Sequence, residues 1–216
     1  MHDAGYRSVN AIPTGSICLD VALGVGGIPR GCISEVFGPE ACGKTTLAQH
    51  IIAEAQKQSG RGAFIDMEHA LDPSYAQACG VDLESLFVAQ PTTGEQALDI
   101  AETLAQSQAV DIIVIDSVAA LVPRAELQGD MGEAHTGLMA KLIRQALRKI
   151  SRAIQSTQTA VLFTNQIRDR ISAKHRKPET TTGGRSLKFH AAVRMEMDKG
   201  EPIQAGTSII GNRTHV

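Results

Sequence analysis

The sequence predicts an α/β protein with a mostly parallel central sheet flanked by helices. Short β-branched apolar runs alternate with longer stretches of helical periodicity, as expected when helices connect parallel strands. The predicted strands are mostly apolar, which is typical of a sheet that is covered on both faces. With 216 residues, of which 43% are hydrophobic, the chain is long enough for a sizeable core, and we expect a single domain over residues 1–216.

The predicted elements follow one another in a regular order. The strands are 33–37, 63–66, 86–89, 112–116 and 160–164, and the helices between them are 44–59, 95–107 and 138–155. Two stretches, 124–137 and 168–185, are predicted to be irregular because glycines and charges interrupt any periodicity. Beyond them we predict a strand or short helix over 187–197 and strands over 203–210, broken at Gly200, Pro202 and Gly206.

Composition excludes several classes of protein. The net charge is only -2, so any nucleic-acid affinity must come from a local patch and not from the chain as a whole. The four cysteines lack the Cys-x-x-Cys spacing of a zinc site, which favours free thiols in a reducing cytosol. No apolar signal core and no run of about 20 apolar residues is present, so we expect a soluble cytoplasmic protein.

The strongest local motif is GPEACGKT at Gly38 to Thr45, between a predicted strand and a predicted helix. In that context backbone N–H groups and the helix dipole bind phosphates, and the motif predicts a P-loop. Lys44 would then reach the β and γ phosphates, while the Thr45 hydroxyl would bind Mg²⁺. A chance glycine-rich turn is the alternative, but the strand before and the helix after favour nucleotide binding.

Two acidic segments leave strand ends at the same predicted edge of the sheet. VDIIVIDS ends in Asp116, which could hold the metal of a P-loop enzyme or could merely cap the following turn. In FIDMEHALDPSY, Glu68 could activate a water molecule, and Asp66 is nearly as good a candidate. A helix cap or a surface charge would also explain either residue. Chemistry alone leaves this choice open.

Two basic groups are candidates for phosphate contacts. Residues 168–185 hold six Lys or Arg against two acidic residues. On the predicted helix 138–155, basic residues recur opposite the apolar face at Lys141, Arg144, Arg148 and Arg152. A solvated helix face explains such a stripe equally well, so both interpretations stay open.

Six segments together resemble the bacterial RecA recombinases, from about Thr14 to Val216. They are GPEACGKTTLA, AFIDMEHALDPSYA, QPTTGEQALDI, VDIIVIDSVAALVPRAEL, TNQIR and PETTTGGRSLKF, in this order. The resemblance implies a RecA-like P-loop NTPase fold with ATP and Mg²⁺. It also implies a DNA-dependent ATPase that binds single- and double-stranded DNA, self-associates into a helical filament, and exchanges strands in DNA repair and the SOS response.

The resemblance also implies roles for individual residues. Glu68 would activate the hydrolytic water, with Lys44 and Gln166 as the other catalytic residues. Gln166 would sense the γ phosphate and pass the signal to the following DNA loop, although it could simply end a strand. Asp72 and Tyr75 would hold adenine. The implied nucleotide contacts are Gly38, Pro39, Glu40, Ala41, Cys42, Gly43, Lys44, Thr45, Thr46, Asp72 and Tyr75, and the implied metal ligands are Thr45 and Asp116.

Two loops of the family bind DNA, and they correspond to residues 128–137 and 167–185. Contacts of this kind go to the phosphate backbone, so binding should be largely independent of base sequence. The implied DNA contacts are Lys141, Arg148, Arg168, Arg170, Thr182, Gly183 and Gly184.

The chain departs from the family pattern in several places. The second loop reads SAKHRKPET, which is more basic than is usual in the family, and the family has an aromatic residue near the position of His175. In the P-loop, Ala41 and Cys42 stand where Ser is common. The family's N-terminal helix, its C-terminal part and the paired lysines that reach ATP from a neighbouring subunit have no counterpart here. Lys188, Phe189 and Arg194 match its subunit-interface segment. We therefore expect a fragment, and keep as an alternative a core that binds ATP without efficient hydrolysis or filament formation.

Overall fold

A parallel sheet is the central element of the fold. The computed structural model describes residues 9–129, 137–168 and 180–216. The strands are β1 (Ala11–Ile12), β2 (Ile28–Pro29), β3 (Ile33–Gly38), β4 (Gly62–Asp66), β5 (Leu86–Ala89), β6 (Ile112–Asp116), β7 (Ala160–Arg168), β8 (Thr180–Thr181), β9 (Ala191–Glu196), β10 (Asp198–Ala205) and β11 (Ser208–His215).

Six of these strands pair in parallel in the order β5-β4-β6-β7-β3-β9, and the short β8 pairs antiparallel with the end of β7. The predicted mostly parallel sheet is therefore confirmed. The pairs β1–β2 and β10–β11 are antiparallel and form two separate two-stranded sheets.

Helices cover both faces of the sheet. They are α1 (Ile17–Leu23), α2 (Lys44–Lys57), α3 (Pro73–Ala78), α4 (Gly94–Ser107), α5 (Arg124–Gln128), α6 (Leu138–Thr157) and α7 (Ser186–His190), with one 3-10 turn at Val118–Ala120. The three predicted helices correspond to α2, α4 and α6. Among the described residues, no helix has the length and apolarity that a membrane crossing requires.

Two apolar clusters lie on opposite faces of the sheet because successive strand side chains point in opposite directions. On β6, Ile113 and Ile115 pack in the cluster that includes α4 and α6. Their neighbours Ile112 and Val114 pack in the cluster that includes α2. Both faces are thus buried, which is why the strands are mostly apolar.

Three predictions of local structure differ from the fold. The stretch 124–137 was predicted to be irregular, but it begins with helix α5, whose first N–H, at Arg124, donates to Glu95 Oε2 at 2.9 Å. A helix of one turn is too short to show periodicity. Strand β7 runs to Arg168, four residues beyond the prediction, because β8 pairs with its end. Gly200 and Pro202 do not end β10; they lie at a register shift in the hairpin.

Candidate nucleotide-binding site

The P-loop connects β3 to α2 at the carboxyl edge of the sheet. A Cβ atom on Gly38 would lie 2.1 Å from the Met197 carbonyl oxygen, so the close approach of β9 and its continuation requires glycine here. Helix α2 begins at Lys44 with no side-chain cap and no acidic residue in its first turn. Its first N–H groups and its dipole are therefore suited to an anion.

Lys44 is buried inside this loop, with 9% of its surface exposed. Its Nζ donates to the Gly38 carbonyl at 3.1 Å and to the Pro39 carbonyl at 2.6 Å. Phosphate oxygens are stronger acceptors for an ammonium group than neutral carbonyls. The Cys42 Sγ lies 3.7 Å from the same nitrogen and the residue is 2% exposed, so the thiol is enclosed by the loop and does not face solvent.

The proposed metal ligands contact one another directly. Thr45 Oγ1 donates to Asp116 Oδ2 at 2.6 Å, and Thr164 Oγ1 donates to Asp116 Oδ1 at 2.5 Å. Burial raises the pKa of the Asp116 carboxyl above its ordinary value, the two threonine hydroxyls lower it, and the nearby Glu68 and Asp66 carboxylates raise it further. A cation beside Asp116 would relieve the cost of burying its charge.

Two protein oxygens are enough for Mg²⁺, which completes its coordination with water and phosphate, but they are too few for a metal that only protein side chains hold. Within the described ranges, no group of three or more His, Cys, Asp or Glu could hold a metal ion. Mg²⁺ usually keeps several waters and binds one or two protein oxygens together with substrate phosphates. The Thr45 hydroxyl and the Asp116 carboxylate supply such oxygens, next to the loop that would hold the phosphates.

Asp66 and Glu68 differ in what they contact. Asp66 is 2% exposed and accepts hydrogen bonds from Ala70 N, Leu71 N and Gln90 Nε2. Its oxygens are therefore engaged in shaping the segment after β4. Glu68 is exposed at the cavity, where its Oε1 accepts a hydrogen bond from Ser117 Oγ at 2.5 Å. The geometry thus favours Glu68 over Asp66 as the group that could act on a water molecule.

One cavity of about 970 Å³ joins the predicted site residues. Its lining includes Glu40, Ala41, Cys42, Gly43, Lys44, Thr45, Thr46, Glu68, Tyr75, Asp116 and Gln166, and also Met197, Gly211, Asn212 and Thr214 from the C-terminal hairpin region. The Tyr75 hydroxyl lies 3.0 Å from Thr46 Oγ1 at its rim. Asp72 is outside this lining and caps α3, accepting from Ser74 N and Tyr75 N.

Gln166 lies at the cavity on β7, and a backbone hydrogen bond connects it to the segment that begins at residue 180. Its carbonyl accepts from Thr182 N at 3.4 Å. Thr182 is 8% exposed, so its side chain does not face solvent as a DNA contact would. Gly183 and Gly184 pack against Ile143 and Ala140 of α6.

The other DNA-contact candidates divide into two groups. Lys141 and Arg148 are exposed on α6, in agreement with the predicted stripe. The Arg168 side chain, Arg170 and the basic residues up to 179 lie outside the described residues, as do residues 130–136 of the first predicted loop.

Sequence reasoning missed several contacts. Ser117 follows Asp116 directly, and a polar residue at that strand end could have indicated a further site contact. Glu35 is a charged residue within a mostly apolar strand, which could have indicated a buried ion pair. Arg194, which matched a subunit-interface segment, pairs with Glu35 inside the chain, its Nε 2.6 Å from Glu35 Oε2. The hydrogen bond from Thr214 Oγ1 to the Cys42 carbonyl had no signal in the sequence.

The whole chain is similar to known proteins of one family. The family profile described as RecA N-terminal domain matches residues 1–216. Protein RecA of Herpetosiphon aurantiacus is 60% identical over 209 residues, which cover 97% of this chain and 58% of that protein. Protein RecA of Rubrobacter xylanophilus is 57% identical over 216 residues, or 100% of this chain and 63% of that protein. The chain therefore spans about three fifths of the length of these relatives.

Proposed function

The chain belongs to the RecA family, and from this premise we propose that it is a DNA-dependent ATPase of homologous recombination and repair. It binds ATP with Mg²⁺, holds single-stranded DNA, and pairs it with double-stranded DNA. We further propose that residues 1–216 act as one ATPase core domain, that copies associate into a helical filament, and that the protein works in the cytoplasm and the SOS response.

The observation that carries this proposal is the convergence of four strand ends on one cavity. Lys44 follows β3, Glu68 follows β4, Asp116 ends β6 and Gln166 lies near the end of β7, and all four line the same space. Open parallel sheets bind their ligands at the carboxyl ends of the strands. A loop suited to phosphate, a carboxylate suited to a metal ion and an exposed carboxylate in one cavity match the parts of an ATPase.

In the proposed reaction each side chain has a separate task. Lys44 exchanges its two carbonyl partners for phosphate oxygens and neutralises charge on them. Glu68, oriented by Ser117, accepts a hydrogen bond from the attacking water and then its proton. Thr45 and Asp116 would hold Mg²⁺, which neutralises charge on the phosphates when it is bound.

Gln166 is the proposed link to DNA. An amide that contacts the terminal phosphate before hydrolysis, and loses that partner afterwards, can order or release the adjoining segment 167–185. The basic residues of this segment, with Lys141 and Arg148, would contact DNA phosphates without reading bases.

One observation favours a second candidate, a module that binds nucleotide but hydrolyses it poorly. Among the described residues that line the cavity, Lys44 is the only Lys or Arg. Phosphoryl transfer commonly needs a second cation on the developing charge. In this alternative the second cation comes from another subunit, and an isolated copy is slow.

Measuring ATP hydrolysis with and without single-stranded DNA tests both candidates. We expect DNA to stimulate hydrolysis by the intact chain, and Lys44→Ala and Glu68→Gln to abolish most of it. If DNA has no effect, the first proposal is wrong. ATP that still raises the Tm in that case supports the binding module.

A further inference from the structure

A buried carboxylate lies in the strand that leads into the P-loop. Glu35 is the third residue of β3 and is 0% exposed. The proposed steps of nucleotide binding and hydrolysis do not use it. A charge this deeply buried is strongly unfavourable unless it is paired and hydrogen-bonded, so its partners indicate which parts of the fold it holds together.

Both carboxylate oxygens of Glu35 have a partner on a neighbouring strand. Oε2 accepts from Arg194 Nε at 2.6 Å, on the residue directly opposite in β9. Oε1 accepts from Asn165 Nδ2 at 2.8 Å, on β7. The Arg194 guanidinium also lies 4.3 Å from the centroid of the Phe37 ring. Glu35 therefore connects three adjacent strands just before the P-loop begins.

Asn165 extends this connection to two backbone groups. Its Nδ2 also donates to the Thr182 carbonyl at 3.0 Å, and its Oδ1 accepts from Gln166 N at 2.9 Å. The Thr182 hydroxyl has no hydrogen-bond partner among the described residues, so Thr182 is held through its backbone.

We propose that Glu35 is a positioning residue that couples the P-loop to Gln166 and Thr182, which lie on either side of residues 169–179. Its carboxylate sets the orientation of the Asn165 amide, and that amide places the main chain of Gln166 and the carbonyl of Thr182. Charge-assisted hydrogen bonds are short and directional, so a shift of β3 on nucleotide binding moves these groups with it. The coupling deepens the proposed function, on which its consequence for DNA rests, but its structural part can be measured without DNA.

Hydrogen exchange with a slowly hydrolysed ATP analogue and Mg²⁺ tests the coupling. In the unaltered chain the analogue should slow exchange in the P-loop and also at residues 166 and 180–184. Glu35→Gln keeps the side-chain shape but turns an N–H₂ group toward Arg194 or Asn165. We expect the analogue still to protect the P-loop in this variant, with the protection at 180–184 lost.

Ser34→Ala is the matched control. Ser34 is buried in the same strand, faces the opposite side of the sheet, and its hydroxyl has no partner among the described residues. This variant should keep protection at both places. A second test variant, Arg194→Gln, alters the partly exposed partner, which is 25% exposed. Because it leaves the buried Glu35 charge without its ion-pair partner, it should lower the Tm more than Glu35→Gln, which removes that charge, and it should also lose most of the response at 180–184.

Two results would overturn the proposal: no nucleotide response at 180–184 in the unaltered chain, or a full response there in the variants that fold. A lower Tm with an intact response would mean that Glu35 only stabilises the fold. Single-stranded DNA binding is measured in parallel. If the unaltered chain binds no DNA while the variants still lose the response, the proposed function fails and the positioning role stands.

Discussion

Ser117 donates its hydroxyl hydrogen to Glu68 Oε1, 2.5 Å away, although 49 positions separate the two residues. Ser117 follows the last residue of β6 and is 1% exposed, whereas Glu68 is exposed at the cavity. A buried group thus orients a carboxylate that solvent can reach. Since a general base must be held within reach of the water it activates, this contact bears directly on hydrolysis.

Ser117→Ala should slow ATP hydrolysis by about tenfold without changing nucleotide affinity. A hydrogen bond to a charged group contributes about 1.5 kcal/mol, which corresponds to roughly that factor in rate. Steady-state kinetics would give kcat and KM separately. Ser107→Ala is the control and should leave both unchanged, because the Ser107 hydroxyl donates to the Leu104 carbonyl and accepts from Ala109 N at the end of α4. An unaltered kcat in Ser117→Ala would contradict the orienting role.

Asp66→Asn should mainly lower stability, whereas Glu68→Gln should mainly lower activity. Asp66 is buried and accepts three hydrogen bonds, so Asp66→Asn should cost about 1–3 kcal/mol in the free energy of unfolding. Glu68→Gln should leave stability nearly unchanged but lower kcat by about 100-fold or more. Denaturant titration and ATPase assays would measure the two quantities. A normal kcat in Glu68→Gln would mean that Glu68 is not the general base and that Asp66 is the better candidate.

Asp116→Asn should stabilise the ligand-free protein at neutral pH and abolish its response to Mg²⁺. The folded pKa of Asp116 is raised above its unfolded value, chiefly by burial. Protonation is therefore easier in the folded state, and this contribution to stability is present at low pH and lost as the pH rises through the folded pKa. The neutral amide removes that loss.

Thermal unfolding across pH, with and without Mg²⁺ and an ATP analogue, would measure both effects. In the unaltered chain the Mg²⁺-dependent gain in Tm should shrink as the pH falls toward the raised pKa, because the protonated carboxyl no longer binds the ion. An Asp116→Asn variant that keeps the full Mg²⁺-dependent gain would remove Asp116 from the metal site.

Gly183→Ala should destabilise the fold more than a comparable glycine substitution elsewhere. Gly183 has φ +86°, and its Cβ would lie 2.6 Å from Ile143 Cδ1. Gly26 has a similar φ of +82° with nothing within 4 Å of its Cβ. Gly26→Ala should therefore cost about 1 kcal/mol from backbone strain alone, and Gly183→Ala about 1–3 kcal/mol more from overpacking. Equal costs in denaturant unfolding would mean that Gly183 is not tightly packed.

Removing Arg168 and Arg170 should weaken single-stranded DNA binding and make it less sensitive to salt. The slope of log K against log salt is negative, and each lost phosphate contact makes it shallower by about 0.7. The slope for the double Ala variant should therefore be shallower by about 1.4. Fluorescence anisotropy at several salt concentrations would measure the slope. Lys149→Ala is the control, because Lys149 Nζ lies 2.9 Å from Glu102 on the adjacent helix. A slope unchanged in the double variant would exclude these arginines as phosphate contacts.

Local pattern was sufficient for most of the sheet. The strand Ile112–Asp116 was predicted with its observed bounds, and α2, α4 and α6 differ from the predicted helices by at most two residues at either end. Periodicity and strand composition depend on neighbouring residues, so one sequence is enough to predict them. The short α5 and the pairing of β8 with β7 escaped prediction, because one is too brief for periodicity and the other depends on a distant partner.

The sequence by itself determined the P-loop, the acidic ends of β4 and β6, and the basic stripe of α6, since each is a pattern of residues close together in the chain. Only the tertiary structure showed that Asp66 is engaged in three hydrogen bonds, whereas Glu68, which the family resemblance already favoured, is exposed at the cavity. It also placed Arg194 on Glu35, 159 positions away, and buried Thr182. These outcomes depend on which groups the fold brings within hydrogen-bond distance and on how much water it excludes, and neither quantity is a property of a local pattern.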